Sequence, residues 1–399
     1  MNPWAMLLAL TGAFSLSQAY RTVAAIMAPQ LQSEFGLSPQ ALGVFAGAFH
    51  FAFGAMQIFM GIGIDLHGVR RTVLAAFPLA IAGSALSAWT DNFTVLVFGQ
   101  VLIGVGCAPA FLVCTVFVAR HFPSERFASV SGMVLGLGGI GMLATGTPLA
   151  WLMEHSSWRA GFVALGLCAL LAWGAILWLV HEPAPPQHGG HPRESLLAAV
   201  RGFGALFTVR HTWGIVALSA VTYAAFITLR GLWLGPLLIE RHGFSLVASG
   251  NAVLAVSIAS MVGAPLFGRV DPGPRTRRRW IVGFTLVVAA LIIVQAFGAG
   301  AAFDVIGPMA VGLISGYIVL QYADVRAAYP AALTGRAMAL FTMAMFLGVA
   351  LMQWLTGLAA SLAAARGGDP FVAVLVTMAA LLLAGAAAFT WLPAPKTAA

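Results

Sequence analysis

Runs of apolar residues long enough to cross a bilayer recur along the whole chain, at about 4–29, 41–63, 72–90, 94–119, 127–153, 160–181, 211–239, 246–268, 280–300, 303–323, 335–360 and 370–392. Each exceeds the ~18 residues that a helix needs to span the hydrocarbon layer. The pattern therefore predicts an all-α membrane protein with twelve transmembrane helices. The one long polar, Pro- and Gly-rich stretch, His181 to Pro192, falls between the sixth and seventh windows. It divides the chain into an N-terminal six-helix bundle (1–181), a cytoplasmic linker (182–210), a C-terminal six-helix bundle (211–392) and a short tail (393–399). Within the linker, Leu196, Leu197, Val200, Phe203, Leu206 and Phe207 recur at helical spacing, which predicts a short amphipathic helix at the membrane surface.

Composition agrees: 60% of residues are hydrophobic, only 8% are charged, and mean hydropathy is +0.94. Fifteen of the twenty basic residues fall in loops on the side of the N-terminus, three on the opposite side and two within spans. Cytoplasmic loops retain Lys and Arg, so both termini are expected in the cytoplasm of a multi-pass protein of a bacterial-type inner (plasma) membrane. The net charge of +8 then reflects topology, and no nucleic-acid partner is needed to explain it. The first window reads as a span, because no basic stretch precedes Trp4 as it would in a cleaved leader. Cys107, Cys114 and Cys168 lie within spans and read as packing residues.

Two arginines stand out against this background. Arg21 and Arg230 each interrupt an apolar window, and they occupy matching places in the two halves, 209 positions apart. An Arg at mid-membrane costs roughly 2.5–3.5 kcal/mol on insertion scales, so a buried one marks function or a partner. All twelve acidic residues are placed by the pattern in loops or at helix ends, which leaves an anionic substrate as the natural counter-ion.

The stretch after the second window, Gly61-Ile62-Gly63-Ile64-Asp65-Leu66-His67-Gly68-Val69-Arg70-Arg71, resembles the loop motif of the major facilitator superfamily. A weaker copy recurs near Asp271, with Arg275 and Arg277 to Arg279 after it. The resemblance covers essentially the whole chain. It implies two pseudo-symmetric six-helix bundles, the major facilitator fold, and alternating access. It also implies that Asp65, Arg70 and Arg71, with Gly61 and Gly68, form a gating latch. Gln100 stands where many proton-coupled members carry Arg, and the span-five Gly-Pro signature of drug antiporters is absent. The Arg21 and Arg230 pair resembles that of organophosphate:phosphate antiporters, and a first-helix Arg occurs also in organic-anion symporters. That resemblance implies that the two arginines clamp the substrate anion.

Helical rise places Arg21, His50 and Arg230 in one layer near mid-depth. On the same helix faces lie Gln18, Gln57, Tyr223 and Trp233, while Tyr317 and Gln321 supply deeper polar groups. The expected protein is thus a monomeric carrier of a small organic or phosphorylated anion, not an enzyme, with no cofactor or resident metal. The other readings weighed are a proton-coupled drug or metabolite exporter and a non-transporting membrane sensor. A copper importer would use His50, Met56, Met60, Met338, Met345 and Met352.

Overall fold

The computed structural model describes residues 2–123, 126–181, 204–298 and 300–393, and its elements are helical. In the first half of the chain these are α1 (Pro3–Thr22), α2 (Ala24–Phe35), α3 (Pro39–Ala55), α4 (Gln57–Trp89), α5 (Phe93–Cys107), α6 (Ala110–His121), α7 (Phe127–Ala144), α8 (Thr147–Glu154) and α9 (Trp158–Leu179). The second half has α10 (His211–Thr228), a π-helical turn (Leu229–Trp233), α11 (Leu234–His242), α12 (Leu246–Arg269), α13 (Pro274–Ala296), α14 (Ala301–Ile314), a 3-10 turn (Ser315–Tyr317), α15 (Ile318–Ala328), α16 (Ala331–Ala365) and α17 (Pro370–Trp391). The expected amphipathic segment over 193–207 and the tail fall largely outside the described residues.

Helix starts follow local sequence chemistry. Asn2, Ser38, Asn92, Ser157, Ser245 and Asp369 each cap a helix by accepting a backbone N–H, and Pro3, Pro39 and Pro370 follow three of them. Such caps satisfy amide donors that the first turn leaves free. Among the described residues, ten helical stretches are long and apolar enough to cross a membrane. The windows at 4–29 and 41–63 are helical too, but breaks at Val23 and Met56 divide them.

The loop expected at 61–71 is not a loop. Helix continues through Asp65 to Gly68, turns on that single residue (φ 82°, ψ 171°), and restarts at once. Gly273, just after Asp271, adopts nearly the same conformation (φ 81°, ψ 168°) at the start of α13. A side chain is strained at such φ, so glycine at both positions gives the internal repeat a backbone basis.

Within the halves α4 packs on α5 and α9, α10 on α16 and α17, and α13 on α17. The halves meet along α3 and α16, α8 and α12, and α2 and α11. Glycines bring these backbones together. A Cβ on Gly43 would lie 2.3 Å from the Gln353 carbonyl oxygen, one on Gly235 2.1 Å from that of Ala25, and one on Gly146 3.0 Å from that of Gly250. These contacts gather at the end of the bundle opposite Pro3 and Trp391, here called the far end.

Candidate functional site

The helices that line the centre are broken at mid-length. Breaks fall at Val23, at Met56, at Ala108 and Pro109, at Thr145 and Gly146, in the π turn at Leu229–Trp233 and in the 3-10 turn at Ser315–Tyr317. A break releases backbone carbonyls, and in an apolar layer these must be satisfied by side chains. Gln57 Nε2 donates to the Ala108 carbonyl at 3.2 Å. Arg230 does the same across the molecule, donating to the Met142 carbonyl at 2.5 Å and the Thr22 carbonyl at 3.5 Å. It also donates to the hydroxyls of Thr145 at 3.2 Å and Ser257 at 3.0 Å. Thr22 and Thr145 are themselves joined by a 2.9 Å hydroxyl pair.

Between the halves, on the side away from the far end, lies a cavity of about 440 Å³. Arg21 lines it together with Gln18, Gln57, Tyr223, Phe53, Phe346, Tyr322 and Met345. The orientation of Arg21 follows from α1: its neighbour Tyr20 points the other way and bonds the Ser84 hydroxyl at 2.6 Å, fixing the helix against α4. Arg21 is 6% exposed. Its guanidinium donates to the Tyr223 hydroxyl at 3.1 Å and to the Ser17 hydroxyl at 3.3 Å, while Nε has no partner. It stacks against the Phe53 and Phe346 rings, 4.8 and 4.7 Å from their centroids. Among the described residues, none that lines the cavity carries a carboxylate. The site is a fixed cation with unused donors between two aromatic faces, which suits an anion that brings its own acceptors.

A smaller pocket of about 140 Å³ opens beside it and shares Gln18, Tyr223, Ala264 and Ile318 with the larger cavity. Tyr317 and Gln321 line it. The Tyr317 hydroxyl pairs with Thr285 at 2.8 Å, and the Gln321 amide oxygen accepts from Thr222 at 3.1 Å.

Six of the nine sequence-derived binding residues therefore line one or both cavities: Gln18, Arg21, Gln57, Tyr223, Tyr317 and Gln321. Arg230, His50 and Trp233 do not. Arg230 is fully buried and spent on the carbonyls of the opposite half. His50 is 1% exposed, with Nδ1 at 3.1 Å from the Ala46 carbonyl, on the face of α3 that meets α16. Trp233 turns into the second half and donates to the Thr356 hydroxyl at 2.9 Å. Of the methionines read as a soft-metal stripe, Met345 alone lines the larger cavity, where its sulfur lies 3.7 Å from the Tyr322 hydroxyl. Phe53 and Phe346 were missed in the sequence because they are two among 27 phenylalanines; their spacing to Arg21 exists only in three dimensions.

At the near end, Arg70 donates to the Leu177 carbonyl at 3.0 Å and Asp65 lies in the field of Arg120, both within the first half. Arg71 is exposed. Gly61 meets nothing closer than 3.8 Å, so packing does not require it to be glycine. In the second copy of the motif, Arg277 binds Asp271 at 2.6 and 2.9 Å, and Arg278 binds Asp324 at 3.1 and 3.2 Å. The Arg277 guanidinium holds the Asp271 carboxyl below its ordinary range.

The sequence profile of the Major Facilitator Superfamily matches residues 9–352. Among curated proteins, the chain is 24% identical to a gallate transporter of Pseudomonas putida over 73% of its own length and 70% of that protein's. It is 23% identical to a probable sulfoacetate transporter, SauU, of Cupriavidus necator over 61% of its length and 59% of the relative's. A third match, 27% identical, is to efflux pump hmp6 of Hypomyces subiculosus, over 41% of this chain and 28% of that one. The chain thus spans less than two thirds of the length of the last two. Among solved structures, a D-xylose-proton symporter superposes with a TM-score of 0.77 at 16% identity, covering 99% of both chains, which shows a shared fold. With a profile match across most of its length and the same arrangement of helices, the chain belongs to the Major Facilitator Superfamily.

Proposed function

We propose that this protein is a secondary carrier that moves a small organic anion through the membrane by alternating access, with Arg21 as the anion ligand. The observation that carries the reading is the buried Arg21 guanidinium, which lines the central cavity, keeps an unpartnered Nε and has no carboxylate beside it among the described residues of the wall. Leaving donors unused in an apolar layer is costly, and an incoming carboxylate relieves that cost. The names of two relatives, the gallate and sulfoacetate transporters, fit an organic anion. A cation on a wall with no carboxylate among its described residues also argues against a cationic cargo.

In this reading the conformation is closed at the far end and accessible from the near end, which the distribution of Arg and Lys assigns to the cytoplasm. Arg230 serves the far closure rather than the cargo in this state. Asp65, Arg70 and Arg71 form the near-end latch in this reading. Substrate drives the cycle only by binding the intermediate closed state more tightly than either open one.

The test is uptake of labelled organic acids into proteoliposomes by the unaltered protein, Arg21→Gln and Arg21→Lys. Uptake of at least one organic anion that is lost in Arg21→Gln and partly kept in Arg21→Lys supports the assignment. Unimpaired uptake by Arg21→Gln overturns it.

A further inference from the structure

We propose that the 140 Å³ side pocket is a specificity subsite for a hydroxyl group, which makes the cargo a ring-bearing hydroxy monocarboxylate. The inference rests on the assignment of Arg21 as the anion ligand. The pocket opens off the central cavity at Gln18 and Tyr223, and Tyr223 accepts a hydrogen bond from Arg21, so a single small molecule can reach both places.

Its chemistry is defined by two amides. Gln321 is 3% exposed and lines the pocket; its oxygen is engaged by Thr222, and its Nε2 has no partner. Gln18 lines the same pocket and leaves its Oε1 unpartnered. One free donor and one free acceptor, both buried on side chains that line a common pocket, are complementary to a hydroxyl, which accepts from one and donates to the other.

Charge and shape narrow the class further. Among the described residues Arg21 is the one cation that lines either cavity, and Arg230 is committed to carbonyls of the opposite half, so the described walls match one negative charge. Phe53 and Phe346 flank the guanidinium, and Tyr223, Phe226 and Tyr317 line the route to the amides. Flat apolar walls between a cation and a hydroxyl site favour a ring as the spacer. A chain that satisfies both ends at once also fills the aromatic section between them.

The test compares matched pairs of acids that differ by one hydroxyl: benzoate against 3- and 4-hydroxybenzoate, and cyclohexanecarboxylate against its 4-hydroxy derivative. Binding to the purified, detergent-solubilised protein is measured by calorimetry. The expected result is at least one hydroxylated acid binding on the order of tenfold tighter than its parent, since a buried amide left unpaired is costly. That advantage should vanish in Gln321→Leu while the parent acid keeps its affinity, and both acids should lose binding in Arg21→Gln. Equal affinities within every pair in the unaltered protein would overturn the subsite while leaving Arg21 as the anion ligand. A hydroxyl advantage that persists in a folded Gln321→Leu protein would overturn it as well. If no carboxylate binds but neutral or cationic compounds do, the anion reading itself fails. The comparison within the unaltered protein decides the matter even where the variant does not fold.

Discussion

At the scale of single residues, one cation carries the argument. Arg21 was legible in the sequence because a guanidinium inside an apolar window has few explanations. Arg230 was equally conspicuous, yet its partners were not legible: they are carbonyls freed by breaks in helices far away in the chain. For Arg21→Gln, loss of charge-assisted hydrogen bonds worth ~1.5–3 kcal/mol predicts substrate binding weaker by about ten- to a hundredfold. Arg21→Lys should fall between, because an ammonium keeps the charge without the planar fork; titration calorimetry measures both. A second residue-scale prediction concerns Glu34, outside the spans. Its carboxyl is held below the ordinary range chiefly by its hydrogen bond with Arg159, which outweighs the opposing effect of burial, and Trp158 adds to the lowering. A lowered folded value means a stabilisation fully present above the unfolded value of about 4.3 and lost as pH falls through the folded one. Melting temperature should therefore drop below about pH 4.5, and drop less in Glu34→Gln; thermal melts between pH 7 and pH 3 follow it.

At the scale of elements, starts were easier to read than interruptions. Caps such as Ser38-Pro39 and Asp369-Pro370 are local chemistry, visible in any window of four residues. The breaks at Val23 and Met56 have no such marker, because they are stabilised by groups from other helices, as Gln57 stabilises the Ala108 carbonyl. The π turn around Arg230 is of the same kind: it places the guanidinium against α1 and α7, which only the assembled bundle rewards. Arg230→Gln removes the donors to the Met142 and Thr22 carbonyls and should weaken far-end closure. A cysteine introduced as Ser361→Cys, where the Ser361 hydroxyl receives the Gln40 amide at 2.9 Å across the seam, reports on it. In a background lacking Cys168, labelling by a membrane-impermeant thiol reagent should rise several-fold when Arg230→Gln is added.

At the scale of the whole molecule, two kinds of close glycine contact separate folding from the transport cycle. A Cβ on Gly141 would fall 1.7 Å from the Ser15 carbonyl oxygen and one on Gly348 1.9 Å from that of Ala220, each inside one half. Gly43 and Gly235 instead meet backbone of the other half. Gly141→Ala and Gly348→Ala should thus lower the melting temperature through overpacking of about 1–3 kcal/mol. Gly43→Ala and Gly235→Ala should leave each half intact and favour the state open at the far end, read as raised labelling of Ser361→Cys with little change in melting. The all-helical membrane fold and the repeat at Asp271 were readable in one dimension. The pairing of α3 with α16 was not, because glycine spacing shows that two backbones approach without naming the partner.

The ion pairs seen among the described residues lie within one half or the other. Arg159 with Glu34 and Asp91 ties together elements of the first half; Arg241 with Asp304 and Asp369, Arg277 with Asp271 and Arg278 with Asp324 tie together elements of the second. The far seam, by contrast, rests on carbonyls against glycines and on the buried Arg230. Dissolved ions weaken exposed charge pairs and leave such contacts nearly untouched. Opening and closing at that end should accordingly proceed at much the same rate in dilute buffer and in concentrated salt, so that a carrier of this build keeps its pace when the ionic strength of its surroundings changes.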